Sequence, residues 1–321
     1  MAKDKESALL EKWNVTTGNN SSIATGFKEF VSTGNRFIDY LIGGGILRGK
    51  INELYGREGC GKTTLALHIV KKFQDLGGTV HWITPEVSWD KERAEALGVD
   101  TSKVFVAVPE CIEDGFDYCL YVLNQSKKQE NPAPTLIVWD GINASTSRKV
   151  IETGSFYAGG VAERARLIAE FFRIATVPFA KNDVTLIVNN HVMNSISSGP
   201  YGKEYVNPGG NVLKHLVSLR LFMDWKGRKD THQTVKLVLE KTRNKEPNVK
   251  AEVLMSYNLG FDEAYQVVDM AVSEMIVRRY RNQIRFVSEE LVFEDISEFL
   301  ASPKYEEVFN QVFEVFKASI G

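Results

Sequence analysis

The sequence predicts an α/β fold: a mostly parallel sheet flanked by helices, with an N-terminal arm and a small C-terminal α+β module. Three observations carry this. From about residue 32, short apolar runs bounded by turn residues alternate with helical patterns. Several of those runs, TLIVWD and VTLIVNN above all, are apolar throughout rather than alternating, as strands buried on both faces are. After Arg220, strand-like runs follow one another across short turns, which points to antiparallel additions at one sheet edge.

Composition bounds the rest. A chain of 321 residues holds one large α/β domain with small additions, and 43% hydrophobic with 25% charged residues excludes disorder over most of it. No apolar run reaches the ~18 residues of a membrane span. The polar start, MAKDKESALLEKWN, lacks the apolar stretch of a signal peptide, so a cytoplasmic protein is expected. Cys60, Cys111 and Cys119 have neither zinc nor CxxC spacing, which fits a reducing compartment. The net charge is −2 but unevenly spread. Residues 201–250 carry eleven Lys/Arg against five Asp/Glu, whereas residues 289–321 carry eight acids against two bases. That pattern reads equally as two solvated faces or as a basic surface for a polyanion.

Taken in order, residues 5–14 suit a short amphipathic helix and NVTTGNNSS a linker, making 1–31 an arm rather than a domain. Residues 32–263 form the core, with strands at INELYG, TVHWIT, VFVAV, TLIVWD and VTLIVNN. Between them lie helices at LALHIVKKFQDLG, KERAEALG and about 114–127, as right-handed crossovers require. LRLFMDW, TVKLVLEK and AEVLMSY supply the antiparallel edge. Residues 264–321 read as a small C-terminal domain: a helix, a hairpin at QIRFVSEELVF and a final helix at YEEVFNQVFEVFKASI.

GREGCGKTT, between strand and helix, fits G-x-x-x-x-G-K-[ST]. Its glycines let backbone N–H groups face a phosphate, and the helix N-terminus adds a positive dipole end. The nucleotide-binding residues are therefore Gly56, Arg57, Glu58, Gly59, Cys60, Gly61, Lys62, Thr63 and Thr64. Lys62 would reach the β- and γ-phosphates of ATP, and the Thr63 hydroxyl would ligate Mg²⁺. Asp140, ending TLIVWD, would hold the same ion through water. Glu86, just past TVHWIT, falls at the sheet end where ligands gather and is positioned to orient an attacking water.

With these residues in place, the stretch STGNRFIDYLIGGGILRGKINELYGREGCGKTTLALH resembles the start of the RecA family core. PEVSWDKERAEALGVD, TLIVWD, VTLIVNNH and GGNVLKHLVSLRL match that family in the same order at similar spacing, over roughly residues 32–270. Details lean towards phage recombinases of the UvsX type. The resemblance implies a RecA-like fold and an ATP-dependent DNA strand-exchange recombinase, a DNA-dependent ATPase that forms a helical filament. Within it Glu86 is the catalytic carboxylate. Asp90 and Arg93 would lie along the adenine, with Arg93 where bacterial members have a tyrosine. His191 falls where those members have a glutamine that senses the γ-phosphate. Alone, it reads as a satisfied polar residue at a strand end. Lys241 and Arg243, two residues apart in KTRNKEP, match a basic pair that reaches the phosphates bound by a neighbouring subunit. By sequence alone they are solvated cations.

Two loops of weak periodicity, ETGSFYAGGVA at about 152–162 and NSISSGPYGKEYVNPGG at 194–210, match the family's DNA-binding loops. Their Gly, Ser and aromatic content suits a stretched single strand. Arg166, Lys203, Gly209, Gly210, Asn211 and Lys214 are the expected DNA contacts, and Tyr157, Tyr201 and Tyr205 are candidate stacking rings or surface aromatics. The implied partners are single-stranded DNA, homologous duplex, further copies of the chain, and single-stranded-DNA-binding and mediator proteins. A RecA-fold hexameric helicase and a non-catalytic mediator paralogue are the alternatives.

Overall fold

The computed structural model describes residues 29–128, 133–154, 161–194, 205–206, 214–289 and 291–320. The arm up to residue 28, most of both loops, and Lys203, Gly209, Gly210, Asn211, Tyr157 and Tyr201 lie outside the described residues.

Strand β1 (Phe30–Val31) leads to helix α1 (Arg36–Ile42), and then β2 (Ile46–Leu47) pairs back on β1. Helix α1 starts where Asn35 Oδ1 accepts the N–H groups of Phe37 and Ile38, at 3.0 and 3.1 Å, and stops at Gly43 in the left-handed region. Next come β3 (Ile51–Gly56), α2 (Lys62–Asp75), β4 (Thr79–Ile83), α3 (Lys91–Ala96), β5 (Val104–Ala107), α4 (Ile112–Ser126) and β6 (Thr135–Asp140). They are followed by α5 (Arg148–Thr153), α6 (Val161–Lys181) and β7 (Val184–His191). Glu152 and Thr153 thus belong to a helix rather than to the first loop. Within the second loop β8 (Met193–Asn194) pairs antiparallel with β9 (Tyr205–Val206).

The chain continues through β10 (Leu219–Lys229), β11 (His232–Lys241), β12 (Val249–Ser256), β13 (Gly260–Phe261) and α7 (Glu263–Ser273). It ends with β14 (Val277–Tyr280), β15 (Gln283–Phe286), β16 (Val292–Phe293), α8 (Ile296–Ala301) and α9 (Pro303–Ile320). Nine strands make one sheet in the order β13-β12-β11-β10-β3-β7-β6-β4-β5. From β10 to β5 every neighbouring pair is parallel, and β11, β12 and β13 extend the sheet antiparallel.

The wholly apolar strands form because helices cover both sheet faces. Alternate residues of β6 go to opposite cores: Leu136 and Val138 to one, with Leu65, Ile69 and Phe73 of α2, and Ile137 and Trp139 to the other, with Phe172 and Phe179 of α6. The C-terminal segment joins the first of these cores. Phe309, Phe313 and Phe316 of α9 close on the Phe37 ring at 5.6, 5.6 and 4.9 Å. Arg36 braces the contact through Glu263 and Glu306, at 2.8 and 2.9 Å. β14, β15 and β16 make a separate antiparallel sheet over Phe299; the QIRF to LVF hairpin is β15–β16, while β14 has no counterpart in the sequence reading.

His81 illustrates the energetics of this packing. Its ring stacks on Phe105 at 5.1 Å, its Nδ1 lies 2.9 Å from Tyr118 Oη, and burial pushes its pKa down to about 4. A histidine held neutral in the fold but free to charge when unfolded stabilises fully above the unfolded pKa of about 6.5 and loses that contribution as pH falls towards 4. Unfolding free energy is therefore expected to drop by about 2 kcal/mol on this account between pH 7 and pH 5. Urea titrations at the two pH values check this, with His81→Gln losing that share of the fall.

Candidate functional site

Four chain positions meet at the carboxyl end of the parallel strands: the loop after β3, Glu86 after β4, Asp140 ending β6 and His191 ending β7. Strand polarity alone brings them together, because every parallel strand ends on that side. The loop leaves β3 at Gly56, whose φ of 156° no side chain would suit here, since a Cβ would sit 1.8 Å from Met223 O. It enters α2 through Gly61 in the left-handed region. Lys62 Nζ curls back onto the loop, donating to Gly56 O at 3.0 Å and Arg57 O at 2.6 Å. The Cys60 thiol donates to Arg57 O at 2.9 Å, and burial pushes its pKa up, so it stays a thiol.

Thr63 Oγ1 donates to Asp140 Oδ2 at 2.8 Å, while Asn189 Nδ2 holds the other carboxylate oxygen at 2.9 Å. Two hard oxygen ligands side by side at a helix N-terminus fit a Mg²⁺ that keeps most of its waters. Glu86 is exposed and rests over Gly141, where a Cβ would lie 2.8 Å from its Oε1. The His191 ring is half-buried, and its Nδ1 is buried without a hydrogen-bond partner among the described residues. Burial first, and then the Lys62 ammonium, lower its pKa, against opposing pulls from Glu86, Asp140 and Glu58. The residue lines the same cleft as Lys62, where a neutral imidazole fits beside a bound anion.

Gly59, Gly61, Lys62, Thr63, Thr64 and His191 line a cleft of about 500 Å³ whose far wall the sequence reading missed, while Glu86 and Asp140 lie outside its lining. That wall is built by Trp225, Arg228, Thr231, Gln233, Ser256 and Tyr257, from the antiparallel strands that looked like a mere edge addition. Gln233 Nε2 donates to Gly59 O at 2.9 Å, tying β11 to the loop tip. The Arg93 guanidinium lies 4.8 Å from the Tyr257 ring centre and lines the cleft. Asp90 is not among the lining residues; its Oδ1 caps α3 by accepting Arg93 N–H at 2.9 Å. The only signal in the sequence for this wall is the polar residues set in otherwise apolar strands.

Lys241 and Arg243 lie elsewhere. β11 runs antiparallel to β10, and through Arg220 its Lys241 is level with Glu53, three residues or about 10 Å before Gly56 at roughly 3.3 Å per residue, with Arg243 beyond it near Lys50 at the start of β3. There Lys241 Nζ donates to the carbonyls of Lys214 and His215, at 2.8 and 2.9 Å. Burial, then Arg243 and Arg220, lower the Lys241 pKa, and burial and Arg243 lower that of Lys50. Three cations thus crowd the amino end of the sheet, with Arg243 exposed. Arg166 is exposed on α6 and pairs with Glu170 at 3.2 Å.

A family model for the RecA N-terminal domain matches residues 15–262. The chain belongs to the RecA family. It is 32% identical over 258 residues to Protein RecA of Deinococcus radiodurans, covering 78% of this chain and 69% of that protein. It is 30% identical over 294 residues to Protein RecA of Lactobacillus delbrueckii subsp. bulgaricus, covering 86% of each, and 30% identical over 261 residues to that of Mycoplasma mycoides subsp. mycoides SC, covering 78% and 72%. At the centre of the sheet Arg220 is buried against Glu53. Arg220 Nε and Nη1 bond Glu53 Oε2 and Glu240 Oε2, both at 2.6 Å. Arg220→Met would strand the Glu53 carboxylate and is expected to cost about 3–5 kcal/mol in urea unfolding.

Proposed function

We propose that this RecA-family chain is an ATP-dependent recombinase that polymerises on single-stranded DNA and exchanges strands with a homologous duplex. The observation that carries the reading is the separation of its two phosphate-competent ends. Lys62 and His191 lie at the carboxyl end of the parallel strands, whereas Lys241 is two strands over and about 10 Å further back, at roughly 3.3 Å per residue of β3, with Arg243 beyond it and neither lining the cleft. The two cations therefore stand outside their own nucleotide cleft and are suited to a neighbour's in a head-to-tail stack, the heterologous contact that makes open helices. Hydrolysis then depends on assembly.

In the proposed reaction the loop N–H groups and Lys62 hold the phosphates, Arg93 and Tyr257 flank the base, and Glu86 orients water towards the γ-phosphate. Thr63 and Asp140 would hold Mg²⁺, which would supply charge neutralisation at the phosphates. His191, which lines the cleft beside Lys62, senses the γ-phosphate. The second loop leaves the sheet just after His191 and returns where Lys241 holds Lys214 and His215. One end of the DNA grip thus follows the chain's own nucleotide and the other follows the cations lent to the next subunit.

The division into arm (1–31), core (32–263) and C-terminal domain (264–321), the DNA contacts at Arg166, Lys203, Gly209, Gly210, Asn211 and Lys214, and a cytoplasmic location belong to the same proposal. No helix among the described residues is long and apolar enough to cross a membrane. A joint-molecule assay tests the function: with ATP, Mg²⁺ and single-stranded DNA, joints should form with homologous duplex and not with heterologous duplex. Strand separation without pairing would favour a helicase, and nucleotide binding with neither activity a mediator.

A further inference from the structure

Arg220 sits in the middle of the nine-stranded sheet, 2% exposed, with Glu53 of β3 as its register partner on one side and Lys241 of β11 on the other. Its guanidinium spans both, bonding Glu53 through Nε and Glu240 through Nη1, and lies 3.9 Å from the Tyr55 ring centre. An apolar row would pack this sheet at least as well, since burying ions costs more desolvation than most pairs return. What the triad adds is connection.

From Glu53, fully buried, the second oxygen accepts Asn190 Nδ2 at 3.0 Å, one residue before His191. Asn190 in turn accepts from Asn143, whose carbonyl takes Arg164 Nη1 at 2.9 Å, just past the first loop. From Glu240 the next residue is Lys241, which grips the returning end of the second loop. One guanidinium therefore joins the polar chain behind the nucleotide to the strand end that carries the exported cations.

We propose that Arg220 is a positioning residue for catalysis in the adjacent subunit: it holds the Glu240–Lys241 strand end at a fixed height on β3, so that Lys241 and Arg243 meet the neighbour's phosphates. This rests on the reading of Lys241 and Arg243 as acting across the subunit contact. Arg220 touches no substrate. Its effect is on geometry, where displacement of a catalytic group by about 1 Å costs up to about a hundredfold in rate. A lysine keeps the charge but cannot make two directed bonds in opposite directions as the planar fork does.

Arg220→Lys and Glu240→Gln should each bind ATP as the wild type does and keep KM within about twofold, while DNA-stimulated kcat falls about tenfold or more. Glu240→Gln leaves no buried ion without a partner and carries the test if Arg220→Lys unfolds. The deciding experiment mixes subunits. Glu86→Gln subunits cannot hydrolyse ATP but still lend intact cations to a neighbour. Mixed one to one with Arg220→Lys subunits on single-stranded DNA, they should restore turnover at the mixed contacts of one polarity, about a quarter of all contacts in a random filament.

Lys241→Ala/Arg243→Ala subunits mixed with Glu86→Gln subunits serve as the control. Recovery in both mixtures supports the proposal. Recovery in the control alone would show that Arg220 acts within its own subunit, and the proposal falls while the shared-site reading stands. No recovery in either mixture removes the shared-site reading, and the proposal with it. Unchanged kcat in both single variants also overturns it.

Discussion

Glu86→Gln is expected to bind ATP and assemble on single-stranded DNA as the wild type does, yet to turn ATP over about 10²–10⁴-fold more slowly, the usual worth of a positioned acid or base. The side chain is exposed and lies over Gly141, next to the Asp140 carboxylate that Thr63 and Asn189 hold. It takes no part in the loop that grips phosphate, so losing its charge should leave affinity alone. Glutamine keeps the shape and a hydrogen bond but accepts no proton. Single-turnover hydrolysis with nucleotide binding measured in parallel checks this. A loss of affinity matching the loss of rate would mean that Glu86 binds ground state and transition state alike.

Lys241→Ala with Arg243→Ala should abolish DNA-stimulated hydrolysis, with a loss on the order of 10³-fold or more, the scale of a cation supplied across a contact. Nucleotide binding by isolated subunits should survive, because neither residue lines the cleft that holds Lys62. Equilibrium binding of a fluorescent ATP analogue, with turnover measured at rising DNA concentration, separates the two effects. Loss of binding in dispersed subunits would put the pair in its own subunit's site. The variant has a second consequence. Lys241 also holds the carbonyls of Lys214 and His215, so affinity for single-stranded DNA should fall even without nucleotide. Its salt dependence should change by less than a direct phosphate contact removes, a slope of about one.

Much of this was legible in the chain itself. The run of apolar strands separated by amphipathic helices leaves few arrangements, because right-handed crossovers and two-sided burial admit little else. The phosphate loop declares itself through glycines, a lysine and a threonine at fixed spacing, and the structure puts Gly56, Gly59 and Gly61 at positive φ. Asp140 and Glu86 are placed by position, at or just past the carboxyl end of a buried parallel strand, and His191 by the family resemblance; strand polarity puts all three at that end of the sheet. The cleft's far wall was not legible. Trp225, Gln233 and Tyr257 come from a segment that shares no motif with the loop, and only the placing of β10 beside β3, with β11 and β12 folded back antiparallel on it, brings them across from Lys62. Asp90, which the resemblance sets along the adenine, also caps α3 through its Oδ1.

What the sequence by itself determined is therefore chemistry tied to local backbone: which residues curl round a phosphate, which strands are buried, which loops are free of periodicity. Those properties depend on neighbours along the chain. The tertiary structure decided what depends on strand order and direction. Because β11 runs against β10, Lys241 and Arg243 end back towards the start of β3 rather than beside Lys62. Because β10 lies between β3 and β11, Arg220 reaches both Glu53 and Glu240. Register across three strands is a long-range property, and no local pattern encodes which charge will face which.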